Sequence, residues 1–216
     1  CEDSIMEERK LLIFDMDGVI LDSEPLHENA RQRMFRELKI NMSEKMPDPV
    51  GKSSSGFWRK VLENCALEGA PYELEARQYQ LVAEQIETNH VQPSEGLLDI
   101  IQEARDKGMK IGLASSSTRM LVNDALRLLK IEHLFDYTVS GDEAEKKKPA
   151  PDIYLKVLEL AEVSSGEAMT VEDSHAGVES AHQAGIFCYG YRNPTSGPQD
   201  ISQADRIINH LGEIIV

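Results

Sequence analysis

Acidic, hydroxyl and cationic residues recur in this 216-residue chain beside short apolar runs. Asp15 and Asp17 close the run Lys10–Phe14, Ser115, Ser116 and Ser117 close Lys110–Ala114, and Glu172 and Asp173 close Ala168–Val171. Lys148-Pro149 stands just before the helix-period stretch Pro151–Ala161. A carboxylate that attacks phosphorus splits one hard displacement into two easier ones. An anionic nucleophile meeting an anionic phosphate needs its repulsion neutralised, and three or four clustered carboxylates among Asp15, Asp17, Glu172 and Asp173 would hold a Mg²⁺ ion that does so. Lys148 would add positive charge, and a Ser115 hydroxyl would hold a phosphate oxygen. Asp17, two residues from the nucleophile, has the place of a group that gives a proton to the leaving oxygen and then takes one from water. Each signal alone has an ordinary use as a turn, a helix cap or a calcium-loop fragment. Their weight lies in three of them standing at strand ends, with the lysine in a loop of the same strand-and-helix alternation.

Those ends presuppose a sheet. Five short apolar runs, Lys10–Phe14, Lys110–Ala114, Tyr137–Ser140, Ala168–Val171 and Ile186–Gly190, read as strands. Between the later ones lie helix-period stretches at Gly96–Lys107, Arg119–Lys130, Pro151–Ala161 and Ala176–Ala184. Alternation on this scale predicts a doubly wound α/β core, with a parallel sheet whose ligand site lies beyond the carboxyl ends of its strands. The segment 23–92 breaks the pattern with three amphipathic helical stretches, Leu26–Leu38, Phe57–Leu67 and Tyr72–Asn89, and no strand. It reads as a helical cap domain inserted into a core made of 1–22 and 93–216.

Composition narrows the partners. Net charge is −15, which repels nucleic acid and anionic lipid, so neither is expected as a partner. No long apolar run suggests a membrane span, and no signal-peptide plan is present, which makes a cytoplasmic protein the expectation. Cys65 and Cys188 read as ordinary buried thiols, and no role is assigned to Cys1. A monomer or weak dimer is expected.

The run Asp15–Pro25 (DMDGVILDSEP) resembles the first motif of the haloacid-dehalogenase-like hydrolases, in the branch of β-phosphoglucomutase and sugar-phosphate phosphatases. Leu113–Ser117 resembles the second motif, Lys148–Tyr154 the third and Val171–Gly177 the fourth, so the likeness spans nearly the whole chain. It implies Asp15 as nucleophile and Mg²⁺ ligand, and Asp17 as general acid and base that lends its backbone carbonyl to the metal. It further implies Ser115, Ser116 and Lys148 as phosphate-binding residues and Asp173 as a Mg²⁺ ligand, with Glu172 either a further ligand or a residue just behind the ligands. In the cap, Val50-Gly51-Lys52 resembles the substrate loop, and His27 falls where the mutase has a hinge histidine. The mutase carries a basic residue before that glycine and an arginine three residues after it, where this chain has Val50 and Ser54. Lys52 and Arg59 are the nearest substitutes. The expectation is therefore hydrolysis of a small phosphorylated metabolite, with a phosphohexomutase or a non-catalytic phosphometabolite-binding protein as alternatives.

Overall fold

In a computed structural model describing residues 8–41, 46–49 and 53–216, every residue of β1 (Leu11–Phe14) is buried. Burial on both faces is what a central parallel strand requires. β1 lies between β2 (Lys110–Ala114) and β4 (Ala168–Glu172) in a six-stranded sheet. β3 (Tyr137–Val139) flanks β2, while β5 (Phe187–Tyr191) and β6 (Arg206–Ile208) extend the other side. All neighbours run parallel, in the order β3-β2-β1-β4-β5-β6. The sixth strand is absent from the sequence reading, because three residues, two of them exposed, carry too little apolar pattern.

Alternate residues of β1 face opposite layers. Leu12 and Phe14 join one apolar cluster with α4 (Leu97–Asp106) and α5 (Arg119–Leu128). Leu11 and Ile13 join a second with α6 (Asp152–Ala161) and α7 (His175–Gln183). The sheet is therefore doubly wound, and its register places the site. Phe14 pairs with Leu113 on one side and Val171 on the other, so the residues that follow each strand emerge side by side.

Between β1 and α4 lie α1 (Glu24–Glu37), α2 (Ser54–Cys65) and α3 (Pro71–Thr88). Pro25 and Pro71 occupy the first turns of α1 and α3, where a missing N–H loses no helix bond. Ser53 caps α2 by accepting from the Gly56 N–H at 3.2 Å. Apolar stripes from all three helices meet around Trp58, whose ring lies 5.5 Å from that of Phe35 and 5.2 Å from that of Phe57. This cluster is continuous with the sheet's own through Met16, Val19, Ile20 and Leu21. The chain returns beside its point of departure, where the Ser94 N–H donates to Ile20 O at 2.8 Å.

Cys188 is buried, whereas Cys65, at the last residue of α2, is only partly so, which corrects the expectation of two buried thiols. Cys1, Gly51 and Lys52 lie outside the described residues. Among the described residues, no helix is long and apolar enough to cross a membrane.

Candidate active site

The ends of β1, β2 and β4 form the floor of a cavity of about 390 Å³ roofed by α1–α3. Asp15, directly after β1, is fixed by its own N–H donating to Val171 O at 3.0 Å. Lys148 Nζ reaches into the same place and donates to Asp15 Oδ1 at 2.8 Å, Glu172 Oε1 at 2.5 Å and Ala114 O at 3.0 Å. The Lys148-Pro149 peptide is cis. Glu172 is fully buried, and its Oε1 also accepts from the Tyr154 hydroxyl, itself bonded to Thr170 Oγ1 at 3.1 Å. Asp173 accepts from Ser196, in the loop after β5.

Two glycines permit this crowding. A Cβ on Gly18, whose φ is +81°, would stand 1.9 Å from Asp173 Oδ2, and one on Gly177 would stand 1.9 Å from Glu172 Oε2. Only residues without a side chain let the backbone come so near.

Electrostatics divide the carboxylates. Burial is the main force holding Asp15 well above the usual carboxylate range, Glu172 and Asp173 add repulsion, and Lys148 opposes both. Asp173 is pushed up to about 7, mainly by burial and then by Glu172, against the Ser196 hydrogen bond. Lys148 is held above its ordinary value because Asp15 and Glu172 outweigh the effect of burial. Asp17 goes the other way. Burial would raise it, yet hydrogen bonds from His27, Ser23 and Ser117 together lower it to about 2. Ser23 Oγ lies 2.6 Å and His27 Nε2 3.1 Å from Asp17 Oδ1, and Ser117 Oγ lies 2.8 Å from Oδ2.

The donor set fits a hard divalent cation. One carboxylate oxygen each from Asp15, Glu172 and Asp173 lie within 4.8 Å of one another. Glu172 Oε2 is buried without a hydrogen-bond partner. Lys148 offsets only part of the charge of three buried carboxylates, and a buried anion left unpaired is costly. A carboxyl whose folded-state pKa exceeds its ordinary value binds its proton more tightly when folded, so its stabilisation is present at low pH and lost as pH rises through the folded value. For Asp173 that window runs from its ordinary 3.8 to about 7. Metal-free protein is therefore expected to lose several degrees of melting temperature between about pH 5 and pH 8, and Mg²⁺ to raise the midpoint more at the higher pH. Calorimetry at both pH values, with and without Mg²⁺, checks this; equal Mg²⁺ shifts would refute it.

Asp15, Asp17, Ser116, Lys148, Asp173 and His27 all line the cavity. Ser115 does not. It is fully buried, with its Oγ accepting from the Ser117 N–H at 3.1 Å, and Ser116 and Ser117 form the wall. Arg59 is exposed and away from the cavity, because the buried residues Phe57, Trp58, Val61 and Leu62 put the opposite face of α2 in solvent. The arginine on the wall is instead Arg31 of α1. It is buried and paired with Glu24 and with Glu28, the latter at 2.9 Å. Gln78 and Tyr79 of α3 and Ser196 complete contacts absent from the sequence reading.

A family model described as haloacid dehalogenase-like hydrolase matches residues 12–191. The phosphorylated carbohydrates phosphatase of Thermotoga maritima is 31% identical over 225 residues, covering 94% of this chain and 99% of that protein. Protein SUPPRESSOR OF QUENCHING 1, chloroplastic, of Arabidopsis thaliana is 29% identical over 86% of this chain, which spans only 18% of that longer protein. A crystal structure of a CbbY mutant from Rhodobacter sphaeroides in complex with xylulose-(1,5)bisphosphate superposes with a TM-score of 0.81. It covers 95% of this chain and 96% of that one at 21% identity, a likeness of fold.

Proposed function

The chain belongs to the haloacid dehalogenase-like hydrolase family, and from that premise we propose that it is a Mg²⁺-dependent phosphatase of a small phosphorylated carbohydrate, working through an aspartyl-phosphate on Asp15. The observation that carries this reading is the bridge from Lys148 to both Asp15 and Glu172 on the floor of a roofed cavity. It joins a nucleophile, a cation and a metal-fitting cluster at one point.

Asp15 attacks phosphorus, and the leaving oxygen takes a proton from Asp17. Water then attacks the aspartyl-phosphate while Asp17 draws off its proton, which returns the site to its starting state. Three donors on Asp17 stabilise the anion that remains once its proton has gone to the leaving oxygen, and that anion is the form that activates water. Ser116 and Ser117 face the phosphate, with Ser115 fixing their loop through the Ser117 N–H. Asp15, Asp173 and Glu172, with the Asp17 carbonyl, would hold Mg²⁺, whose chemistry here is to neutralise charge on the transferring group. The helices α1–α3 act as the cap that excludes water.

The cap wall favours a substrate with one phosphate. Arg31 is already offset by Glu24 and Glu28, so it presents a paired ion suited to sugar hydroxyls and not a bare cation for a second phosphate. The phosphorylated carbohydrates phosphatase of Thermotoga maritima supports the same substrate class. Purified protein with Mg²⁺ is expected to release inorganic phosphate from members of a sugar-monophosphate panel, and to stop when the metal is chelated. Interconversion of hexose 1- and 6-phosphates far faster than phosphate release would overturn hydrolysis. No release from any member would overturn the enzyme reading.

A further inference from the structure

Three hydrogen bonds run in series from the interior of the cap to Asp17. Trp58 Nε1 of α2 donates to Gln78 Oε1 of α3 at 2.7 Å. Gln78 Nε2 lies 2.8 Å from His27 Nδ1, and His27 Nε2 lies 3.1 Å from Asp17 Oδ1.

The direction of the series is fixed at both ends. An indole N–H only donates, so Gln78 turns its oxygen to Trp58 and its NH₂ to His27. The NH₂ also only donates, so His27 Nδ1 must be bare and the ring proton must sit on Nε2. That proton points at a carboxylate, which only accepts. An amide orientation inferred from one contact would be ambiguous, but here an obligate donor and an obligate acceptor close the chain.

Burial makes the arrangement binding. Trp58 is 0%, Gln78 1% and His27 7% exposed, and Tyr79 packs edge-on against the imidazole with 5.9 Å between ring centroids. A buried amide that lost these partners would be left unsatisfied. An apolar side chain would fill the same cap interior at less risk, yet the polar series ends on the one carboxyl that must handle a proton. We infer that Gln78 and Trp58 are positioning residues: they hold His27 as its Nε2–H tautomer and aim that N–H at Asp17 when α1–α3 stand over the strand ends. One residue from each cap helix contributes, so the series reports that the cap is assembled.

The kinetic part of this inference rests on the phosphatase reading; the tautomer does not. Two variants separate positioning from packing and from substrate contact. Gln78→Met keeps the length of the side chain and removes both bonds. Trp58→Phe keeps an aromatic ring and removes only the N–H, and Trp58 is not on the cavity wall.

The test pairs ¹⁵N NMR of the histidine ring, assigned with a His27→Gln variant, with steady-state kinetics on the best sugar phosphate. Wild-type His27 is expected to show a bare Nδ1 and a protonated Nε2, a preference lost in Gln78→Met. Removing the amide should lower kcat about tenfold with little change in KM. Trp58→Phe should lower kcat less, and the double variant should fall no further than Gln78→Met, because the two act in series. A wild-type Nδ1–H tautomer, an unchanged kcat in Gln78→Met, a defect confined to KM, or additive losses in the double variant would each overturn the inference. Absence of phosphate release from the wild type would overturn the proposed function instead, and the NMR result would then decide the positioning claim alone.

Discussion

Replacing Asp15 by Asn should remove phosphate release by more than about 10⁴-fold in kcat/KM, because the variant lacks the atom that bonds to phosphorus. The fold should survive. Asn matches Asp in shape, and its oxygen still accepts from Lys148, which keeps Glu172 and Ala114 O as further partners. Thermal stability without metal should not drop below wild type, since burial and two neighbouring carboxylates already oppose a charge at this position. Phosphate-release assays and melting curves read the two effects separately. Residual activity above about a hundredth of wild type would move the nucleophile elsewhere.

Lys148→Met should damage both activity and stability. Removing one partner of a buried ionic group leaves uncompensated charge and costs about 3–5 kcal/mol, whereas a surface pair would cost far less. Lys148 is such a partner, with its side chain 6% exposed and that of Glu172 0%. Metal-free Lys148→Met protein should therefore lose stability on that order, and Mg²⁺ should restore a substantial part by supplying positive charge to the same carboxylates. Turnover should fall about 10²–10³-fold, the usual effect of deleting one group that stabilises transition-state charge. Chemical denaturation with and without Mg²⁺ measures the first effect. A loss of stability that Mg²⁺ leaves untouched would separate Lys148 from the metal-fitting cluster.

The legible part of this protein is the part written locally. Asp15, Asp17, the serines 115–117, Glu172 and Asp173 each stand against an apolar run strong enough to announce a strand, and a parallel sheet aligns such ends. The cap helices also declared themselves, through stripes such as Phe57, Trp58, Val61 and Leu62. Within the cap, pattern stops being informative. Arg31, Arg59 and Gln78 are all polar residues on amphipathic helices, and whether one meets a cavity or solvent depends on how three helices pack together. Arg59 stood on the far side of its own stripe, so helical periodicity held the signal that excluded it. The contacts of Asn193, Thr195 and Ser196 with Gly18, Asp22 and Asp173 come from an ordinary-looking turn after β5. Nothing in those residue types marks a loop that folds back on the first motif.

The place of β1 in the sheet bears on how the protein is made. Leu11 pairs with Lys110 on one side and Ala168 on the other, so the strand carrying Asp15 leaves the ribosome well before either neighbour. At bacterial or eukaryotic translation speeds the wait for β4 is on the order of ten seconds. Throughout it, an all-apolar strand has no pairing partner on at least one edge, which makes the nascent chain a natural client for chaperones. The same delay keeps the acids apart. Asp15 meets Lys148 and Glu172 only after β4 has been synthesised, so a chain halted before β4 carries no assembled site.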